Sequence, residues 1–173
     1  YTIMAFKKVV EQHPEAQLAL AGDGVLLNMC QNLVKQYGIE NQVHFLGIVT
    51  PRRCRELIEE SLAFVQHSIT AKNGDMEGTP LAVLEASVSG LPVIATKHAG
   101  IPDVIKHGKT GLLCDEHDVD GMATHMKQLL DDVNYAKQLG ANGKEHILKH
   151  FSMGRHIQKL QDVLEEAIKN SLL

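Results

Sequence analysis

Short apolar runs alternate with stretches of helical periodicity along almost the whole chain. Ile3, Phe6, Val9 and Val10 share one face of a helix expected over 1–12. LALA at 18–21 reads as a short buried strand that stops at the turn Gly22-Asp23-Gly24. Residues 25–37 repeat at helical spacing, with Leu26, Met29, Leu33, Val34 and Tyr37 expected inward and Gly38 closing the helix. VHFL at 43–46 is a second strand, ended by Gly47, and Pro51 opens a helix to about residue 60. LAFV at 62–65, PVIA at 92–95 and GLLC at 111–114 give three more strands. Helices are expected between them, over 80–89 and 102–106. Three helices, over 119–130, 134–150 and 153–169, close the chain. The stripe Met122, Met126, Leu129, Leu130 marks the inner face of the first.

Strands that alternate with helices predict an α/β fold with a doubly wound parallel sheet. The strands are apolar throughout, as expected where helices cover both sheet faces. The whole of 1–173 reads as a single domain, its C-terminal helices beginning near 119. Ligands of such sheets bind beyond the carboxyl ends of the strands. The polar loop TAKNGDMEGT at 70–79 follows the third strand and lies at such an end.

Composition narrows the field. A formal charge of −4 with scattered lysines and arginines argues against a nucleic-acid partner. Arg52, Arg53 and Arg55 form the tightest basic group and read as a solvated helix face. Cys30, Cys54 and Cys114 are odd in number and form no CxxC. Reduced, mostly buried thiols and a cytoplasmic setting are the expectation. The chain shows neither an apolar run of membrane-spanning length nor a signal-peptide pattern. It opens on Tyr1 within a helical pattern, so it is expected to be a piece of something longer.

The chemistry concentrates in EGTPLAVLEA, residues 77–86. Thr79 suits an N-cap and Pro80 a first helical position. The amides near Gly78, Thr79 and Leu81 are expected to be unpaired, an anion site suited to a diphosphate. Glu85 stands among Leu81, Val83, Leu84, Ala86 and Val88, where a carboxylate is expected to be partly buried and in need of partners. A ribose diol would satisfy it. On the residues alone, a solvated glutamate or one paired with a lysine is the simpler account. Glu77 is open between a sugar-hydroxyl acceptor and an acid that stabilises the positive helix end. His67 and His98, near strand ends, are further candidates for a phosphate or sugar contact. Lys97, Lys106 and Lys109 are candidate phosphate cations, though a solvated surface suffices to explain them. The pair His146 and His150 lacks a third metal ligand.

Glu77 and Glu85 form an E-x7-E pair. GLPVIAT (90–96), AGIPDVI (99–105) and GKTGLL (108–113) follow it, and LALAGDG (18–24) and VHFLGIV (43–49) precede it. In this order and spacing the motifs resemble the C-terminal, donor-nucleotide domain of retaining GT-B glycosyltransferases of the family 4 (group 1) type. The GDMEGTP loop is similar to that of bacterial polysaccharide transferases. The resemblance covers nearly the whole chain. It implies a Rossmann-like sheet lacking its first strand, because the family's domain opens with a strand and a cationic loop that this sequence does not contain. A gap in the sheet's centre is expected to be closed by a rearrangement, a partner chain, a domain swap or residues outside this sequence.

Carried over, the resemblance implies that Glu85 holds the ribose hydroxyls. Glu77, the candidate catalytic residue, would hold a donor-sugar hydroxyl. The backbone of Gly78, Thr79, Pro80 and Leu81 would hold phosphates and sugar, and that of Gly47, Ile48 and Val49 would edge the base. Asp23, Gly24 and His67 are further candidates for the cleft wall. The implied reaction is sugar transfer with retention from an NDP-sugar, UDP- or GDP-linked, to a glycan or lipid acceptor. No cofactor or metal beyond the donor is expected, and the full-length enzyme could sit at the inner membrane face. The acceptor domain would lie outside this sequence, so the isolated chain is expected to be inactive. A non-catalytic nucleotide-sugar binding module is the alternative.

Overall fold

The computed structural model describes residues 1–171. Residues 172 and 173, the end of the expected single-domain span, lie outside the described residues. The elements run α1 (Thr2–Val10), β1 (Leu18–Ala21), α2 (Leu27–Tyr37), β2 (Val43–Gly47), α3 (Pro51–Glu60) and β3 (Phe64–Gln66). They continue α4 (Leu81–Ser89), β4 (Val93–Thr96), α5 (Ile101–Val104), β5 (Gly111–Cys114), α6 (Val119–Asp131), α7 (Val133–His150) and α8 (Met153–Ser171).

Every strand pair is parallel, as the alternation of strand and helix requires. The strands nevertheless form two ladders, β1–β2 and β3–β4–β5. Between β1 and β3 lies a groove of about 680 Å³, walled by Phe6, Val9, Leu20, Val65, Ile94 and Leu129 among others. The expected gap in the sheet is therefore present, and it leaves two unpaired strand edges facing one space. Burial follows from it. β4 and β5 are buried at every position, whereas β1 and β3, which flank the groove, are only half-buried where they are not exposed.

Side chains of β4 and β5 alternate between two apolar layers. Ile94, Leu112 and Cys114 pack with Phe6, Val9, Met122, Met126 and Leu129 of α1 and α6. Val93, Ala95 and Leu113 pack with Val83, Ala86, Ile101 and Ile147 of α4, α5 and α7. Local signals set the helix ends. Thr50, Asp118 and Asp132 accept N-cap hydrogen bonds at 3.2, 2.8 and 2.9 Å, and α2 and α4 end at left-handed Gly38 and Gly90. The basic group on α3 is paired along its exposed face, Arg52 with Glu56 and Arg53 with Glu56 and Glu60.

Several expectations are corrected. α2 begins at Leu27, and only Cys30, Leu33, Val34 and Tyr37 pack on the core. Its first turn runs past the core, so Leu26 and Met29, expected inward, are 56 % and 58 % exposed. β3 lies two residues later than the apolar run suggests at its start, because its only ladder, to β4, begins at Phe64↔Val93. Of the three free cysteines only Cys114 is buried, and that burial raises its thiol to about 11. No helix among the described residues is long and apolar enough to cross a membrane.

Candidate functional site

The candidate residues fall at the carboxyl ends of strands, in two groups. Beyond β1 and β2, the Gly22 amide donates to the Gly47 carbonyl at 2.7 Å and ties the GDG turn to the GIV turn. Gly47 sits at φ +63°, a conformation that suits glycine. Asp23 accepts from the Gly24 amide at 2.7 Å, and Ile48 is 86 % exposed on the rim.

The second group is the loop that joins β3 to α4. Here the helix starts one residue later than expected. Pro80 is the N-cap, in an extended conformation, and no side chain caps α4. Thr79 does not cap; its Oγ1 lies where a Cβ on Gly100 would stand. The Gly100 amide donates to the Gly78 carbonyl at 3.0 Å, so the approach of the 97–101 turn holds the loop from below. Gly78, Thr79 and Leu81 donate their own amides to no acceptor among the described residues. These are the free donors expected at a helix start. Glu77 is exposed, and its Oε2 accepts from Gln66 Nε2 at 3.2 Å and from Ser68 Oγ at 3.4 Å. Ser68 is fixed in turn by the hydroxyl of buried Thr96, which donates to its carbonyl at 2.7 Å.

Glu85 corrects the expectation of partial burial. It is exposed, and its carboxylate has no hydrogen bond or ion pair among the described residues. No strand lies between β1 and β3 among the described residues, and the helix face that carries Ala82 and Glu85 looks into the groove. Gln66 lines the same groove and is hydrogen-bonded to Glu77.

His67 follows β3. Its ring stacks on Tyr1 at 4.8 Å, and its buried ring nitrogens have no partner among the described residues. Burial holds it below the ordinary imidazole value. His98 is 1 % exposed and is no open cleft contact. Lys97 is paired with Asp115 at 2.9 Å, and Lys106 donates to the Pro102 carbonyl at 2.9 Å, so neither is held toward the loop by these bonds.

Glu116, Gln66, Ser68 and Gly100 escaped the sequence reading. Position after a strand end was the available signal for Glu116, two residues beyond β5. Its carboxyl is held down at about 2, first by the hydrogen bond to His98 and then by the Thr70 amide. A carboxyl lowered in the folded state contributes stability that is present above about 4.5 and lost as pH falls toward 2. The Thr70 amide resonance is therefore expected to titrate near pH 2 in the wild type, and Glu116→Gln to abolish that transition.

The comparisons bear on the same stretch. A sequence model described as "Glycosyl transferases group 1" matches residues 1–146. The chain is 31 % identical over 168 residues to N-acetyl-alpha-D-glucosaminyl L-malate synthase of Bacillus anthracis, covering 97 % of the chain and 42 % of that protein. It is 33 % identical over 150 residues to a GDP-mannose-dependent alpha-(1-6)-phosphatidylinositol monomannoside mannosyltransferase of Mycobacterium tuberculosis, covering 86 % and 39 %. The chain thus spans about two fifths of the length of these relatives. Among solved structures, Anabaena HepE in complex with UDP superposes with a TM-score of 0.79 at 21 % identity, covering 94 % of this chain and 44 % of that one. That likeness shows the fold.

Proposed function

We propose, from the premise that this chain belongs to the group 1 glycosyl transferases, that it is the donor-binding domain of a retaining transferase that moves a sugar from a UDP- or GDP-linked donor to a glycan or lipid acceptor. The free amides of Gly78, Thr79 and Leu81 beside Glu77 carry the reading. They are preorganised donors at a helix start, suited to the diphosphate and to the negative charge that grows on it as the glycosidic bond breaks. Glu77 holds a donor-sugar hydroxyl and Glu85 the ribose. Gly47 and Ile48 edge the base from the far side of the groove, with Asp23, Gly24 and His67 on the wall. The diphosphate takes the acceptor proton as it leaves, so no carboxylate nucleophile is required. The named relatives support a nucleotide-sugar donor: one is GDP-mannose-dependent, and HepE is seen with UDP. In a ¹⁵N-labelled chain, UDP or GDP is expected to shift the amides of 78–81 and of 47–48 first. Shifts confined to other elements would contradict the placement.

The acceptor and turnover belong to a further domain, which the greater length of the relatives can accommodate. We propose also that the groove between β1 and β3 takes a parallel strand, supplied by a partner chain or a domain swap. The two facing unpaired edges support this. Sedimentation is expected to show a concentration-dependent dimer; a strictly monomeric chain contradicts a swap between copies.

A further inference from the structure

Glu116 grips the 70–80 loop near its start. One carboxylate oxygen accepts from the Thr70 amide at 2.7 Å, and the other from the Thr70 hydroxyl at 3.1 Å. That second oxygen, Oε1, also lies 2.6 Å from His98 Nδ1. On the other side of the imidazole, Nε2 accepts the Glu77 amide proton at 3.2 Å. An Nε2 that accepts an N–H carries no proton, so the proton sits on Nδ1 and is donated to Glu116. The ring is 1 % exposed, and both its nitrogens are engaged.

The backbone around the pair is strained. Among the described residues only two non-glycine residues have positive φ, Ala99 at +43° and His117 at +66°. Each directly follows one member of the pair. Left-handed backbone is unfavourable for residues other than glycine and persists where the surroundings over-determine it. Here the turns beyond β4 and β5 hold the two side chains against one loop.

We infer that Glu116 and His98 are a positioning pair: the carboxylate fixes the Nδ1–H tautomer of the imidazole, and the imidazole pins the Glu77 amide, ordering the loop in advance of any ligand. The pair touches no donor. It acts through Glu77 and through the amides of Gly78, Thr79 and Leu81, which follow directly in sequence. Only its consequence for binding rests on the proposed donor site.

Two replacements divide the imidazole's roles. A glutamine can place an acceptor where Nε2 stands, and an asparagine can place a donor where Nδ1 stands. In the intact 173-residue chain, hydrogen exchange of the Glu77 amide is expected to quicken about tenfold or more in His98→Asn and Glu116→Ala, and by no more than about threefold in His98→Gln. Amides of β4 and β5 report on global folding and are expected to stay protected. Should a variant unfold, the wild-type ring ¹⁵N spectrum decides: it is expected to show His98 protonated on Nδ1 and bare on Nε2. The opposite tautomer overturns the inference, and so does an unchanged Glu77 amide in folded His98→Asn. UDP and GDP titrations form a separate arm. If the wild type binds neither nucleotide, the donor reading fails while exchange and tautomer still decide the pair. If it binds, affinity is expected to fall about tenfold in His98→Asn and to recover in His98→Gln.

Discussion

Gly140→Ala is expected to lower the melting temperature by about 10 °C. In an exposed helix interior the same change would stabilise by up to about 1 kcal/mol, because alanine is the better helix former. The surroundings reverse the sign. Gly140 is buried in α7, where the helix crosses the end of α4. A Cβ there would collide with the Gly90 carbonyl oxygen and lie 2.9 Å from its carbon and 3.1 Å from Pro92 Cδ. Gly90 is the left-handed cap of α4 and Pro92 leads into β4, so backbone on both sides would have to move. Overpacking against backbone costs about 3 kcal/mol, and a domain of this size loses about 2–4 °C per kcal/mol. Gly143→Ala makes the control. Its Cβ would stand 3.1 Å from the Thr110 carbonyl oxygen with nothing else closer than 4.0 Å, so a smaller loss is expected. Thermal melts of the two variants decide the matter. A Gly140→Ala chain as stable as the wild type would mean that α7 does not pack this closely on α4.

The sequence made some of this legible. Strands β4 and β5 were readable because a fully buried parallel strand is a continuous apolar run. The gap in the sheet was implied by the resemblance to the family's domain, and it shows as the groove between β1 and β3. Other features were hidden for physical reasons. Glu85 sits among apolar neighbours in sequence, yet its exposure depends on the empty space beside α4. The start of α4 looked like a threonine cap with proline behind it, but the 97–101 turn meets Thr79 and Gly78 from outside and Pro80 takes the cap position. Glu116 bonds to partners 18 and 46 residues away, a separation that no local pattern encodes. His98 read as a cleft histidine because it follows a strand; its burial under Glu77 comes from the fold of the loop. The glycines within α7 escaped the sequence reading, because what packs against them is set by tertiary structure.

Glu85→Ala is expected to weaken nucleotide binding about tenfold to a hundredfold with almost no change in stability. The side chain is exposed and unpaired among the described residues, so its removal breaks no intramolecular bond. Surface substitutions of that kind stay within about 0.5 kcal/mol. A carboxylate that accepts hydrogen bonds from a ribose diol contributes about 1.5–3 kcal/mol, which is the tenfold to hundredfold range. Stability and binding are thus separated in one variant, as they would not be for a residue inside the loop's hydrogen-bond network. The most direct measurement is calorimetric titration of UDP, GDP and ADP into the wild-type chain and into Glu85→Ala. Binding selective for UDP or GDP is expected in the wild type, and its loss in the variant. Equal binding by both chains, or none by the wild type, would contradict the claim that this domain holds a nucleotide through Glu85.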